Sequence, residues 1–97
     1  MNSLMCSIII PALNEEKHIK ECLESITNQT LQRFFYEVIV VDNGSSDATT
    51  EIAQEYADEV HINVKGKVGA VRNYGAKIAK TDILVFLDSD CVLTKIG

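Results

Sequence analysis

Two aspartates spaced two residues apart, Asp88 and Asp90, are the side chains of this sequence best suited to chemistry. They follow the apolar run 83–87, which has the length and composition of a buried β-strand. Residues i and i+2 of a strand point to the same side of a sheet, so this strand would deliver both carboxylates to one place. Because two neighbouring carboxylates repel each other, a divalent cation carrying a phosphate is a natural occupant between them. A solvated turn is the simpler interpretation, and this segment alone leaves both open.

The composition is that of a small globular protein. The chain has 97 residues, of which 46% are hydrophobic, and carries a net charge of −5, which argues against nucleic acid as the main partner. Its apolar runs are too short to span a membrane, and we expect no signal peptide. The three cysteines have no metal-ligand spacing, which indicates a reducing compartment and no zinc site. We therefore expect a cytoplasmic location, with a longer parent protein at the cytoplasmic face of the membrane as an alternative.

Strand and helix signals alternate along the chain with short polar loops between them. A first helix is predicted to begin with Asn14 as its N-cap and with Glu15 and Glu16 in its first turn. The other elements predicted are strands at 7–10 (ended by Pro11), 38–41, 59–62 and 83–87, and helices at 48–56 and 68–79.

This alternation predicts an α/β protein, a Rossmann-like three-layer α/β/α arrangement around a parallel sheet. Right-handed crossovers favour the strand order 3-2-1-4, with a switch point between the first and fourth strands. Ligands of such sheets bind at the carboxyl ends of the strands near the switch point. Polar clusters follow strands one, two and four, so the sequence predicts a ligand site at that edge.

The loops after the first two strands favour a nucleoside over a bare phosphate. The segment 11–16 lacks the glycine patterns of dinucleotide and P-loop sites, and its acidic residues suit a base or a ribose hydroxyl. Asp42 directly follows a buried strand, where its carboxylate can accept hydrogen bonds from a base or a ribose. We assign Asp47 and the serines beside it to turn and cap roles.

The segment 65–75 adds a candidate cation. Gly69 and Gly75 are costly within a helix and require close packing or close approach of a ligand. Arg72 lies on the face that should pack, which indicates that it reaches into a cleft. It either binds a ligand or forms an ion pair with one of the aspartates of the site.

Four segments in this order resemble glycosyltransferase family 2, the inverting nucleotide-diphospho-sugar transferases with the GT-A fold. They are SIIIPALNEE at 7–16, VVDNGSSD at 40–47, GAVRNYG at 69–75 and LDSD at 87–90. Each segment alone is a weak signal, whereas the ordered set is specific and covers nearly the whole chain.

The resemblance implies a role for each matching residue. Asp42 would bind the base, often uracil, and Glu15 would lie near the ribose or base. Asp88 and Asp90 match the DxD motif of the family: Asp90 would bind Mg²⁺ or Mn²⁺, with Asp88 as a second ligand that also contacts the ribose. The nucleotide-sugar-binding residues implied are Pro11, Ala12, Asn14, Glu15, Asp42, Arg72, Asp88 and Ser89.

The same resemblance limits what these residues do. Residues 1–97 correspond to the donor-binding N-terminal part of a GT-A domain, and the family's catalytic base and acceptor pocket lie further downstream. We expect the chain to bind a nucleotide diphosphate sugar, with a UDP-sugar favoured, and not to transfer the sugar unaided. The parent reaction would be inverting transfer to an unknown acceptor in polysaccharide or glycoconjugate biosynthesis.

Other functions remain open at the level of sequence. A non-catalytic nucleotide-binding module that self-associates through an exposed sheet edge is one, and it allows a homo-oligomer. A sugar nucleotidyltransferase is another, although its glycine-rich, arginine-containing loop after strand one does not match residues 11–15. A phospho-acceptor receiver domain would need a paired acidic cluster after strand one.

Overall fold

The computed structural model describes residues 4–29 and 35–93 and contains four strands and three helices in those ranges. In chain order they are β1 (Cys6–Ala12), α1 (Ile19–Thr27), β2 (Tyr36–Asp42), α2 (Thr49–Tyr56), β3 (Glu59–His61), α3 (Val68–Ile78) and β4 (Leu84–Phe86).

The four strands form one parallel sheet in the order β3-β2-β1-β4. Ile9 at the centre of β1 is in register with Ile39 of β2 and Phe86 of β4. The predicted order 3-2-1-4, and with it the predicted switch point beside β1, is confirmed.

Helices cover both faces of the sheet, as the predicted three layers require. On one face Ile8 and Ile10 of β1 pack with α1 and α2, and on the other Ile9 packs with Val71 of α3. Every residue of β2 is buried because both faces of this central strand are covered. Successive side chains of β1 therefore supply two separate cores, which follows from the two-residue period of a strand.

Close packing against β1 explains why α3 has a glycine at position 75. A Cβ atom at this position would overlap the Cγ2 atom of Ile9, so the helix approaches β1 more closely than any other residue allows. A Cβ atom at Gly69 would meet nothing within 4 Å. Close packing therefore accounts for Gly75 and not for Gly69.

The prediction that Pro11 ends the first strand was wrong. β1 continues to Ala12, and Pro11 is in register with Val41 of β2. The pairing of β1 with β4 stops at Ile9, so Pro11 lies where β1 has a partner strand on one side only. A residue without an N–H is tolerated at such a position.

The prediction that Asn14 caps the first helix was also wrong. α1 begins at Ile19 with His18 as its N-cap, and Glu15 and Glu16 precede the helix. Asn14 has a φ of 52°, a left-handed conformation that asparagine adopts more readily than most residues. Contacts with the loop after β2, described below, hold Asn14 and Glu15 in the loop that precedes the helix.

The last strand is shorter and more exposed than the run 83–87 predicts. β4 comprises Leu84–Phe86, and Ile83 and Phe86 remain 61% and 43% exposed. Its one partner strand within the described ranges is β1, which confirms the expected exposed edge and corrects the expected burial. Val68, the first residue of α3, is also exposed. No helix in residues 4–29 and 35–93 has the length and apolarity needed to cross a membrane.

Candidate functional site

The carboxyl ends of β1, β2 and β4 meet at one edge of the sheet, beside the first turn of α3. Three polar segments lie there: the β1–α1 loop (residues 13–18), the β2–α2 loop (residues 43–48) and the acidic turn (residues 88–91). They contain or adjoin all the predicted site residues, so the structure brings these residues together at this edge, and their role in binding a ligand stays a prediction.

Asp42 is the most buried carboxylate of the site. The residue is 1% exposed, and its Oδ2 atom accepts hydrogen bonds from the backbone N–H groups of Gly44 (2.9 Å) and Ser45 (3.0 Å). The Ser45 hydroxyl donates to the other carboxylate oxygen. Asp42 therefore closes a turn in its own loop, a structural role that the sequence analysis gave to Asp47 and the serines and not to Asp42. Its contact with a base stays a prediction.

The β1–α1 and β2–α2 loops are joined by reciprocal hydrogen bonds. The Asn14 N–H donates to the Ser45 hydroxyl (2.8 Å), and the Asn14 side-chain oxygen accepts the Ser46 N–H (2.8 Å). The Glu15 N–H donates to the Thr49 hydroxyl (2.8 Å). The two loops are consequently joined by hydrogen bonds, and Asn14 acts in this contact rather than as a helix cap.

Asp47 completes the junction between the two loops. Its carboxylate accepts hydrogen bonds from the Thr49 hydroxyl and N–H and from the Glu16 N–H. These bonds, with that from the Thr49 side chain contributing most, lower the pKa of Asp47 below its ordinary value because they favour the ionised form. The N-cap of α2 is Ala48, so these contacts agree with the turn role predicted for Asp47 and not with a role as the N-cap itself.

In the structure Asp88 and Asp90 lie in a turn, whereas the sequence analysis predicted that they end a strand. β4 ends at Phe86, and the Cys91 N–H donates to the Asp88 carbonyl (2.9 Å), so Asp88 and Asp90 flank a tight turn. The prediction that strand period aligns the two carboxylates was therefore wrong. Both aspartates are exposed, whereas Ser89 between them is buried.

Hydrogen bonds to Glu15 and to α1 hold the acidic turn in place. The Ser89 hydroxyl donates to Glu15 Oε2 (3.0 Å), and the Cys22 thiol donates to the Asp88 carbonyl (3.6 Å). Further along, the Leu93 N–H donates to the Ser25 hydroxyl (2.9 Å). Burial, together with the nearby Cys91, raises the pKa of Cys22 to about 11. The turn is thus anchored through Ser89 and its backbone, while the carboxylates of Asp88 and Asp90 remain exposed.

Arg72 reaches the acidic turn from α3. Its Nη2 atom lies 3.5 Å from Asp88 Oδ1, with 43% and 75% of the two side chains exposed. This is the ion pair with a site aspartate that the sequence left open. The Arg72 Nε atom is buried and has no hydrogen-bond partner within the described part of the chain. The part of the guanidinium that stays exposed beside the aspartates can hold an anion bridged to them by a metal.

An open, mostly apolar cleft of about 280 Å³ lies next to these polar groups. It is lined by Pro11, Ala12, Leu13, Asn43, Val68 and Val71. The Asn43 amide nitrogen donates to the carbonyl groups of Val64 (2.6 Å) and Gly66 (3.1 Å), which fixes its orientation. Apolar walls with one oriented amide suit a flat heteroaromatic ring.

The sequence reasoning named some of the residues that line this cleft and missed others. It identified Pro11 and Ala12, but not Leu13, Asn43 or Val68 as lining residues. The position of Asn43 directly after Asp42 was the available signal, whereas the exposure of Leu13 and Val68 at the cleft depends on how α3 meets the β1–α1 loop.

The acidic turn fits a hard divalent cation only in part. Asp88 and Asp90 supply exposed carboxylate oxygens, the ligand type that Mg²⁺ and Mn²⁺ prefer. Within residues 4–29 and 35–93, no group of three or more His, Cys, Asp and Glu side chains is arranged to hold a metal. A cation here would need further oxygens from a phosphate or from water, which is how Mg²⁺ is usually held with nucleotides.

The sheet order and the helices on both faces place the chain in the class of α/β domains with the GT-A fold. Residues 7–96 match the model of the family described as Glycosyl transferase family 2. The chain belongs to that family, as its four motifs predict.

This chain is similar in sequence to part of several named glycosyltransferases. The glycosyltransferase AglE of Haloferax volcanii is 43% identical over 91 residues, which cover 88% of this chain and 30% of AglE. The putative glycosyltransferase EpsH of Bacillus subtilis is 38% identical over 96 residues, covering 93% of this chain and 27% of EpsH. The chain therefore spans less than a third of the length of these relatives.

Solved structures agree with the fold. Residues 1–349 of TarS of Staphylococcus aureus in complex with UDP-GlcNAc superpose with a TM-score of 0.83 at 34% identity, over 90% of this chain and 27% of that one. The mannosyltransferase PcManGT of Pyrobaculum calidifontis in complex with GDP-Man and Mn²⁺ gives a TM-score of 0.78 at 28% identity, over 90% of this chain and 28% of that one.

Proposed function

We propose that this chain is the donor-binding part of a glycosyltransferase and that it binds a nucleotide diphosphate sugar. The observation that carries the proposal is the adjacency of an apolar cleft to Arg72 and two exposed aspartates at one edge of a GT-A sheet. Family members of similar structure were solved with UDP-GlcNAc and with GDP-Man, which supports this class of ligand.

The cleft is the proposed place of the base. Pro11, Ala12 and Val71 provide apolar walls, and Asn43 provides an oriented amide at the rim. Asp42 stabilises the β2–α2 loop next to this pocket because its carboxylate accepts two backbone hydrogen bonds from that loop. The proposal favours uridine because UDP and UDP-GlcNAc are bound in similar structures, and guanosine is the alternative.

The acidic turn is the proposed place of the diphosphate. Asp90, with Asp88, would hold Mg²⁺ or Mn²⁺, and the cation would neutralise charge on the departing nucleoside diphosphate. Arg72 would add the positive charge and the exposed N–H groups of its guanidinium, which lies beside Asp88. A cation is needed because the chain carries a net charge of −5, which opposes the approach of an anionic ligand.

Sugar transfer by the parent protein is the wider proposal, with inversion at the anomeric carbon and an acceptor of unknown identity. We assign donor binding to residues 1–97 and place the catalytic base and the acceptor pocket outside them. We also place the protein in the cytoplasm, where the thiols of Cys6, Cys22 and Cys91, all free in the structure, are retained.

A binding titration tests the proposal. UDP, and then GDP, is titrated by calorimetry into the 97-residue chain with and without Mn²⁺, using the wild type, Asp90→Asn and Asp82→Asn. Asp82 is an exposed aspartate before β4, at the opposite end of that strand from the acidic turn, so its variant controls for the loss of one charge. We expect saturable, Mn²⁺-dependent binding that Asp90→Asn weakens and Asp82→Asn retains. A folded wild-type chain that binds neither nucleotide would overturn the proposal.

The exposed edge of β4 favours a second candidate, a self-associating module without catalysis. Ile83 and Phe86 are 61% and 43% exposed along a strand with an unpaired side in the described structure. Sedimentation velocity separates the two candidates when it is combined with the titration. A concentration-dependent dimer that binds no nucleotide favours the module, and a nucleotide-binding monomer excludes it.

A further inference from the structure

Cys22 and Cys91 meet beneath the acidic turn. Cys22 lies on α1 and is fully buried, and its thiol donates to the Asp88 carbonyl at 3.6 Å. The Cys91 N–H donates to the same carbonyl oxygen at 2.9 Å and also lies beside the Cys22 sulfur. Both cysteines therefore donate a hydrogen bond to one carbonyl oxygen, although most of the length of the chain separates them in sequence.

The surroundings keep this pair together. The Ser25 hydroxyl donates to the Cys22 carbonyl (2.6 Å) and accepts the Leu93 N–H (2.9 Å), so the segment after the turn is tied to α1 on the far side of Cys91 as well. Ser89 is tied to Glu15 on the near side. Cys91 thus lies between one tie to Ser25 of α1 and one to Glu15 of the β1–α1 loop, and these two ties keep it close to Cys22.

We propose that Cys22 and Cys91 form a reversible disulfide bond that links the acidic turn to α1. Cys91 is partly exposed and meets the oxidant first, whereas buried Cys22 completes the bond. Cys6 is the remaining cysteine, and it lies at the start of β1, at the opposite end of the sheet from the turn.

The oxidant is a low-molecular-weight disulfide such as oxidised glutathione. The Cys91 sulfur attacks one sulfur of the reagent, the reagent's S–S bond breaks, and one thiol leaves with the proton that Cys91 gives up. The Cys22 sulfur then attacks the Cys91 sulfur and releases the second thiol with the Cys22 proton. Two protein thiols are oxidised to one disulfide while one molecule of reagent is reduced to two thiols.

The bond changes the acidic turn because Cys91 directly follows Asp90. Forming it withdraws the Cys22 thiol from the Asp88 carbonyl and pulls Cys91 towards α1. Both changes alter the placement of Asp88 and Asp90. This consequence rests on the proposed donor site, and it predicts that oxidation weakens metal-dependent nucleotide binding.

Mass spectrometry tests the bond independently of any nucleotide. The 97-residue chain is incubated with oxidised glutathione, its free thiols are then alkylated, and its intact mass and disulfide-linked peptides are determined. We expect the loss of two hydrogens, a peptide pair joining Cys22 to Cys91, and alkylation of Cys6. Cys6→Ser should retain the bond, and Cys91→Ser should lose it. Glutathione adducts without a Cys22–Cys91 bond, or indiscriminate pairing that includes Cys6, would overturn the proposal.

Nucleotide binding by the two redox forms tests the consequence. The oxidised chain should show a several-fold higher Kd for UDP with Mn²⁺ than the reduced chain, and dithiothreitol should restore the lower value. Equal affinities would refute the link between the bond and the site. If the reduced chain binds no nucleotide, the proposed function fails, while the bond itself stands or falls on the mass measurement.

Discussion

Ser89 shows how much of the site depends on a residue that carries no charge. It is buried between two exposed aspartates, and its hydroxyl donates to Glu15 Oε2 at 3.0 Å. The resemblance placed Glu15 near the ribose or base, and that role stays a prediction. The observed contact gives Glu15 a second role, because it joins the β1–α1 loop to the acidic turn.

Replacing Ser89 with alanine should therefore loosen the acidic turn. The change removes a hydrogen bond to a carboxylate, and we expect the free energy of unfolding in urea to fall by about 1–2 kcal/mol. Mn²⁺-dependent binding of UDP should weaken as well. Ser46→Ala is the matched control because that hydroxyl is exposed and lies 3.4 Å from its acceptor on Asn14. Equal effects of the two substitutions would contradict an anchoring role for Ser89.

Asp47 should contribute to the acid sensitivity of the fold. Its folded-state pKa lies below the ordinary value of 3.8, so its ionised form stabilises the fold above that pH. This stabilisation is lost as the pH falls below 3.8 and through the lower folded-state pKa. Asp47→Asn should flatten the fall in unfolding free energy over that window, measured by urea denaturation at several pH values. Asp82→Asn serves as the control, and an identical flattening there would count against the assignment.

At the scale of elements, the helices and strands follow from hydrophobic patterning, whereas their ends depend on tertiary contacts. The β-branched runs of β1 and β2 predict buried central strands, which the structure confirms. The start of α1 was mispredicted because Asn14 is a good helix cap in isolation, but here its side chain accepts the Ser46 N–H of a distant loop. Local sequence does not encode that contact.

The candidate site likewise has features that the sequence predicts and features that depend on tertiary contacts. Side chains at strand ends, such as Asp42 and Asp88, were predictable because parallel sheets bring those ends together. The anchoring of the acidic turn by Cys22 and Ser25 was not, since it requires the angle at which α1 crosses the sheet. The alignment of Asp88 with Asp90 was misjudged for a related reason: the apolar run continues past the last paired residue of β4.

The two glycines of α3 provide a test at the same scale. Gly75→Ala should destabilise the chain because its Cβ atom would overlap Ile9 and force the helix away from β1. We expect a loss of about 1–3 kcal/mol, as for other overpacked core positions. Gly69→Ala should instead stabilise the chain by up to about 1 kcal/mol, since space is open there and alanine favours helix. Thermal unfolding of both variants compares them, and a neutral Gly75→Ala would contradict the close packing.

At the scale of the whole molecule, three polar loops meet at one end of the sheet, and β4 has no partner strand on its outer side within the described residues. The polar end joins three loops from separate parts of the chain through hydrogen bonds between side chains and backbone. This arrangement preorganises a site before a ligand arrives, so binding need not pay for ordering the loops. The net charge of −5 then makes a cation the expected intermediary between this protein and a diphosphate.

Paramagnetic broadening by Mn²⁺ tests the central claim most directly, because it reports both the cation and its place. Amide spectra of the isotope-labelled chain are recorded with substoichiometric Mn²⁺, before and after the addition of UDP. Our account predicts broadening centred on Asp88, Ser89 and Asp90 that strengthens with UDP and is lost in Asp90→Asn. Broadening centred elsewhere, or none at the acidic turn in the presence of UDP, would contradict it.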